Sequence, residues 1–275
     1  MNGQIGMLKK PSGQIGNQLF QIHFLRQVTK RLGTTSFYPK SDAILLVVEG
    51  KSVNRFSILG RPTFRLYGLQ DIESAGLEFW IESCEESLRF NQKILLKPGI
   101  LGSLFFESCY ENPSEILHLS KEVLTPPEYR QSQDAKVAAI HFRGLDFVDW
   151  DRNAILGSRY YLDSIEFLLS EGVELENIYF TTDDPNHLVS QAITKRLGQS
   201  ISKNVSVAGD FAKLAFSDFL ISSPSTFAFW AGVLGKKKKI IHNKTWLDYN
   251  VDRNIKFWVD IRKSNSEIYS VYKEI

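Results

Sequence analysis

The chain has 275 residues, 43% apolar and 23% charged, an ordinary globular composition long enough for one large domain or two compact ones. Its 33 basic residues against 31 acidic ones leave a net charge of +2, which argues against the basic surface that nucleic-acid binding requires. Two cysteines, Cys84 and Cys109, with no CxxC spacing and no His/Cys cluster, argue against a disulfide framework or structural zinc and fit a reducing compartment. The opening stretch carries no apolar core of signal-peptide length, and no later window approaches about 18 uninterrupted apolar residues, so a soluble, cytoplasmic protein is expected.

In chain order, IGMLKK reads as a short strand, followed by a glycine loop and then by NQLFQIHFLRQVTKRLG, whose apolar residues recur at helical spacing. The string GQIG occurs at 3–6 and again at 13–16, but no longer period follows, so no repeat architecture is implied. Between about 40 and 130 there are only short apolar bursts, AILLVV and KILLKPGIL, and the stretch ends in TPPEYRQSQDAK, the best linker candidate. Beyond it the alternation becomes regular. VAAIHF, NIYFTTDD, the FLIS run and KKIIHN read as strands; SRYYLDSIEFLLSEG, PNHLVSQAITKRLG, the SVAGDFAKLAF run and STFAFWAGVLG read as helices. Strands alternating with helices imply βαβ units and a parallel sheet, so the expected class is α/β with two lobes, 1–133 and 134–275.

Four places could carry chemistry. The first is the loop Ser12 to Gln18, joining a strand to a helix, where backbone N–H groups and the helix dipole favour an anion. Its G-x-x-G spacing, with Gly16 and Asn17 at the helix start, fits neither a dinucleotide fingerprint nor a P-loop, so a tight turn and a phosphate or sugar loop both stand. The second is Ala139 to Phe147, an apolar strand breaking into His141, Arg143 and Asp146. Polar groups at the carboxyl ends of parallel strands are where α/β sheets place ligands. Arg143 could grip a diphosphate through two parallel N–H bonds, or form a structural ion pair with Asp146. The third is Tyr179 to Pro185, ending in Asp183 and Asp184, which could accept hydrogen bonds from a base or ribose; Asp184 could equally cap the helix after Pro185. No histidine or third acid near them completes a metal set. The fourth is Asp218 to Trp230, where Ser225, Thr226 and Phe227 open an aromatic helix as caps, as a phosphate site, or as both. Separately, Lys236 to Lys239 form a lysine run, read either as a solvated loop entering a strand or as a contact with an acidic membrane surface.

Taken together, the order, spacing and strand-end placement of these segments resemble the α-1,2-fucosyltransferases, glycosyltransferase family 11, within the wider fucosyltransferase superfamily. The family signature G-G-L-G-N-Q-[ML]-F-Q is similar to Gly13-Gln14-Ile15-Gly16-Asn17-Gln18-Leu19-Phe20-Gln21, and H-x-R-x-G-D-[YF] to His141, Arg143, Asp146 and Phe147. F-S-D-D resembles Phe180 to Asp184, and N-S-[ST]-F-S-W-W-G resembles Ser223 to Gly232; G-Y-[FW]-Q-S looks like Gly102 to Ser108 only loosely. The chain departs from the pattern at Gly144 and Leu145, where an arginine and a glycine are usual, and at Pro224, where asparagine is usual.

The resemblance implies a GT-B fold, with two Rossmann-like lobes whose parallel sheets face a cleft, GDP-fucose as donor, a glycan hydroxyl as acceptor, inversion at the anomeric carbon, and no cofactor or metal. It implies that the C-terminal lobe holds GDP, with Arg143 on the diphosphate, Ser225, Thr226 and Phe227 completing the phosphate cradle, and Asp183 or Asp184 near the nucleoside. The N-terminal lobe would line the acceptor groove, with Gly16 and Asn17 facing the donor. Asp146 and His141 are the candidate bases by position. Transfer of another GDP-sugar on the same fold, or binding without turnover, are the competing readings.

Overall fold

A computed structural model describes residues 4–7, 9, 11, 13–39, 41–49, 64–90, 92–97, 116–124, 135–145, 155–199, 206–236, 239–242 and 267–270. The chain divides into two compact units, Met1–Ser120 and Lys121–Ile275.

The first unit holds β1 (Gln4–Met7), α1 (Ile15–Arg31), β2 (Thr35–Phe37), a helical turn at Asp42–Leu45, β3 (Phe64–Tyr67), α2 (Leu69–Ala75), α3 (Leu77–Arg89) and β4 (Lys93–Leu96). Its four strands form one sheet in the order β2-β1-β4-β3, every neighbouring pair parallel. Parallel strands need crossover connections, and α1 supplies the first of them, between β1 and β2. Helix α1 buries Leu19, Phe20, Ile22, Phe24, Leu25 and Val28, and Phe24 stacks on Trp80 of α3 with ring centroids 6.0 Å apart. Residues 116–120 are tied back to this unit: Glu49 N–H donates to His118 O at 2.8 Å and Ser120 N–H to Val47 O at 2.9 Å. Arg26 on α1 donates to Ile116 O at 3.1 Å and Glu49 O at 2.7 Å, closing the same seam from the helix side.

The second unit holds a helical turn at Lys121–Leu124, then β5 (Ala138–Phe142), α4 (Ser158–Ser170), β6 (Ile178–Thr182), α5 (Leu188–Leu197), α6 (Val207–Phe216), β7 (Phe219–Ile221), α7 (Thr226–Leu234), β8 (Lys239–His242) and β9 (Glu267–Ser270). Its sheet runs β6-β5-β7-β8-β9, again all parallel. Every residue of β5 is buried, the signature of a strand covered on both faces. Ala138, Ile140 and Phe142 alternate onto one face and pack with Tyr160, Tyr161, Ile165 and Leu168 of α4 and Ile193 of α5. Tyr161, Ile165 and Leu168 recur at four and three residues, with Tyr160 beside them, so the helix turns one stripe toward the sheet.

The expected alternation in the second half is therefore present. The helix expected directly after Pro185 begins later, at Leu188, with His187 as its cap: His187 Nδ1 accepts from Val189 N–H at 3.2 Å. Asp184 is spent on the preceding turn, where its own N–H donates to Thr182 Oγ1 at 3.0 Å and its carbonyl accepts from Ser190 Oγ at 2.6 Å. Among the described residues no helix is long and apolar enough to cross a membrane.

Candidate functional site

Strand order decides which of the sequence-predicted residues meet. Strand β5 lies between β6 and β7, with Phe142 level with Thr182 and Ile140 level with Ile221. The residues at and just beyond each strand end therefore lie side by side at the carboxyl edge: His141 near the end of β5 and Arg143 after it, Asp183 and Asp184 after β6, and Ser222, Ser223 and Ser225 after β7.

Arg143 and Asp183 form an ion pair, Nε to Oδ2 at 3.1 Å, with the two side chains 16% and 20% exposed. The other carboxylate oxygen, Oδ1, accepts the Gly144 N–H at 2.9 Å. Asp183 thus spans two consecutive residues of the turn leaving β5. The contact at Oδ2 is a charge pair without hydrogen-bond alignment, and Oδ2 itself is buried, so this oxygen depends on the guanidinium for its compensation. Asp184 follows immediately and packs beside Gly144.

On the opposite side of β5, His141 Nδ1 lies 2.6 Å from Ser223 Oγ, and Ser223 N–H donates to His141 O at 3.1 Å. Burial, and secondarily the Arg143 cation, push the His141 pKa down to about 3, so the imidazole is neutral at physiological pH. The serine turn is held from below by Tyr160, whose hydroxyl donates to Ser222 O at 3.0 Å. Ser225 caps α7, its Oγ accepting from Phe227 N–H at 3.2 Å, and Thr226 is the first helical residue. The Phe227 ring lies between the rings of His141, 5.8 Å away, and Phe211, 5.2 Å away. Ser225, Thr226 and Phe227 thus form a helix N-terminus beside the His141 and Arg143 strand end, a place where an anion is favoured by aligned N–H dipoles.

In the first unit, Gly16 and Asn17 lie in the first turn of α1. The N-cap position, Gln14, makes no side-chain cap bond and no acidic residue occupies the first turn. Gln18 and Gln21 fold back instead, donating to Gly13 O at 2.6 Å and to Asn17 O at 3.1 Å. Ser12, Asp146, Phe147 and the 102–108 segment lie outside the described residues. Of the lysine run, Lys236 is anchored: its ammonium pairs with Asp218 at 2.7 Å and its N–H donates to Ala215 O at 3.0 Å. Lys237 and Lys238 lie outside the described residues, and Lys239 opens β8.

Two contributors were not picked out from the sequence. Tyr160 supports the serine turn from a helix more than sixty positions away, and no local signal announces it. His187 both caps α5 and packs its ring 4.9 Å from Phe142; its position two residues after a proline at a helix start was a readable capping signal. Among the described residues, no group of three His, Cys, Asp or Glu side chains could hold a metal ion.

Two units built on all-parallel sheets, with the polar cluster at the carboxyl ends of the second sheet, place the chain in the α/β class of GT-B type. No protein-family model matches the chain, and no curated protein matches it in sequence. Solved structures do match. The fucosyltransferase NodZ from Bradyrhizobium aligns over 88% of this chain and 94% of its own at 13% identity and a TM-score of 0.53. POFUT1 in complex with GDP-fucose aligns over 86% of this chain and 96% of its own at 12% identity and a TM-score of 0.57. The apo form of POFUT1 aligns over 98% of both chains at a TM-score of 0.56. At these identities the likeness is one of fold, shared with the fucosyltransferase NodZ and with POFUT1.

Proposed function

We propose that the protein is an inverting glycosyltransferase that moves fucose from GDP-fucose to a glycan hydroxyl, without a metal, in an α-1,2 linkage. The observation that carries the reading is the gathering of Arg143, His141 and the Ser225 helix start at adjacent strand ends. Breaking the sugar–diphosphate bond makes an oxocarbenium-like sugar and a more anionic leaving group, and fixed donors aimed at that anion lower the barrier. Arg143 and the N–H groups at the start of α7 are such donors. The α-1,2 linkage rests on the sequence resemblance, as do the roles of Gly16 and Asn17 beside the donor and the acceptor-side role of the N-terminal lobe.

With a pKa near 3, His141 is a poor proton acceptor, and its role in this proposal is to hold the Ser223 turn. Proton acceptance from the acceptor hydroxyl falls to Asp146, and the nucleoside contact to Asp184. The lysine run, residues 236–239, is carried as a contact to an acidic membrane surface only through the lysines beyond Lys236.

The test is to incubate the purified protein with GDP-fucose and EDTA and follow GDP release, with and without oligosaccharide acceptors. Turnover in EDTA is expected; absence of turnover with every GDP-sugar tried overturns the reading, and turnover only with a different GDP-sugar replaces the donor. Arg143→Lys keeps a charge opposite Asp183 but cannot make two parallel N–H bonds. It should lower kcat by about 100-fold or more while the melting temperature stays within a few degrees. A large loss of stability with normal kcat would make Arg143 structural.

A further inference from the structure

Asp183 is placed as if to serve a ligand, at a strand end beside the arginine expected to grip a diphosphate, yet neither of its oxygens is disposed to do so. Oδ1 is taken by the Gly144 N–H at 2.9 Å, and Oδ2 is buried against Arg143 Nε at 3.1 Å. We infer that Asp183 is a positioning residue: its carboxylate clamps the Arg143–Gly144 turn and sets the orientation of the Arg143 guanidinium toward the leaving diphosphate. This rests on the donor reading above and changes the role of Asp183 from a nucleoside contact to a support for Arg143.

The geometry gives the reason such a clamp matters. A guanidinium can make a two-point grip side-on, through Nε and one terminal nitrogen, or end-on, through both terminal nitrogens. Asp183 Oδ2 sits 3.1 Å from Nε without lining up with its N–H, so the carboxylate holds the guanidinium by charge and close contact. An arginine side chain loses considerable rotamer freedom when it is fixed, and a clamp built into the fold removes part of that cost from the binding step. The Oδ1 bond does the same for the backbone, tying the turn after β5 to the end of β6, so guanidinium and backbone are registered against a single carboxylate.

The test is a double-mutant cycle read by calorimetric titration of GDP. Asp183→Asn keeps the size of the side chain and an oxygen for the Gly144 N–H but removes the charge opposite Arg143. Alone it should weaken GDP binding by roughly tenfold or more. In an Arg143→Ala background the same change should add less than about twofold, because a residue acting through Arg143 has nothing left to act on. Asp183→Glu, which retains the charge, should recover part of the affinity and serves as the readout if Asp183→Asn does not fold. Losses that multiply across the cycle overturn the inference and make Asp183 an independent ligand contact, while leaving the donor reading intact. Failure of the unaltered protein to bind GDP overturns the donor reading and this role together.

Discussion

A Cβ built on Gly144 would lie 3.0 Å from Asp184 Cβ and from the Phe142 ring, and 3.2 Å from Asp184 Oδ2, while the Gly144 N–H is committed to Asp183. A methyl group there requires Asp184 and the Phe142 ring to give by a few tenths of an ångström at the point where Arg143 is clamped. Gly144→Ala should cost about 1–3 kcal/mol, the range for overpacking a close contact, and weaken GDP binding in step; an unchanged melting temperature and GDP affinity would show that the turn is soft. The placement of His141, Arg143, Asp183 and Ser225 at strand ends was legible because strand-end polarity is a local signal. The pairing of Arg143 with Asp183 was not. Sequence proximity offered Asp146, three residues on and outside the described residues, whereas the Asp183 clamp reaches Gly144 from 39 residues away and Arg143 from one more, and exists only because β5 and β6 are neighbours.

At the level of elements, close approach decides another glycine. Gly235 ends α7 with an ordinary φ of −80°, so the position does not need glycine for its backbone conformation. It needs glycine for space: a Cβ there would sit 2.0 Å from Ala215 O at the end of α6, the same carbonyl that accepts the Lys236 N–H at 3.0 Å. The blocking atom is backbone and cannot rotate away. Gly235→Ala should therefore separate α6 from α7 and lower the melting temperature by roughly 5 °C or more, with the Phe211–Phe227 contact loosened as well; a shift below about 1 °C would mean that the two helices adjust freely. Sequence reading found both helices by periodicity but had no means of seeing their approach. It missed β2, β3 and β9 for a different reason. Three or four residues such as TSF or FRLY carry too little alternation to stand out, and their strand character comes from parallel partners far along the chain.

For the whole molecule, the all-parallel architecture followed from the strand–helix alternation of the second half, whereas the orders β2-β1-β4-β3 and β6-β5-β7-β8-β9 depend on long-range packing that alternation does not encode. Burial also couples the two units to pH in the same direction. His23 on α1 and His141 on β5 are both held neutral, each with its pKa pushed down to about 3, by burial first and by a neighbouring arginine second. A histidine near 6.5 when unfolded and near 3 when folded binds more protons in the unfolded chain across that interval, so its contribution is complete above pH 6.5 and is lost as pH falls toward 3. Asp210 on α6 acts oppositely. Burial raises its pKa to about 6 against the partial opposition of Lys213, so it stabilises the fold below about pH 4 and that contribution disappears as pH rises through 6. Two histidines outweigh one carboxylic acid. Stability measured by urea denaturation should therefore decline from pH 7 to pH 4, by on the order of 1 kcal/mol per pH unit across the middle of the range. Asp210→Asn should make the protein more stable at pH 7 and steepen that decline, because it removes the one group working against it. A profile that is flat between pH 7 and 4 would mean that His23 and His141 take up protons in the folded chain.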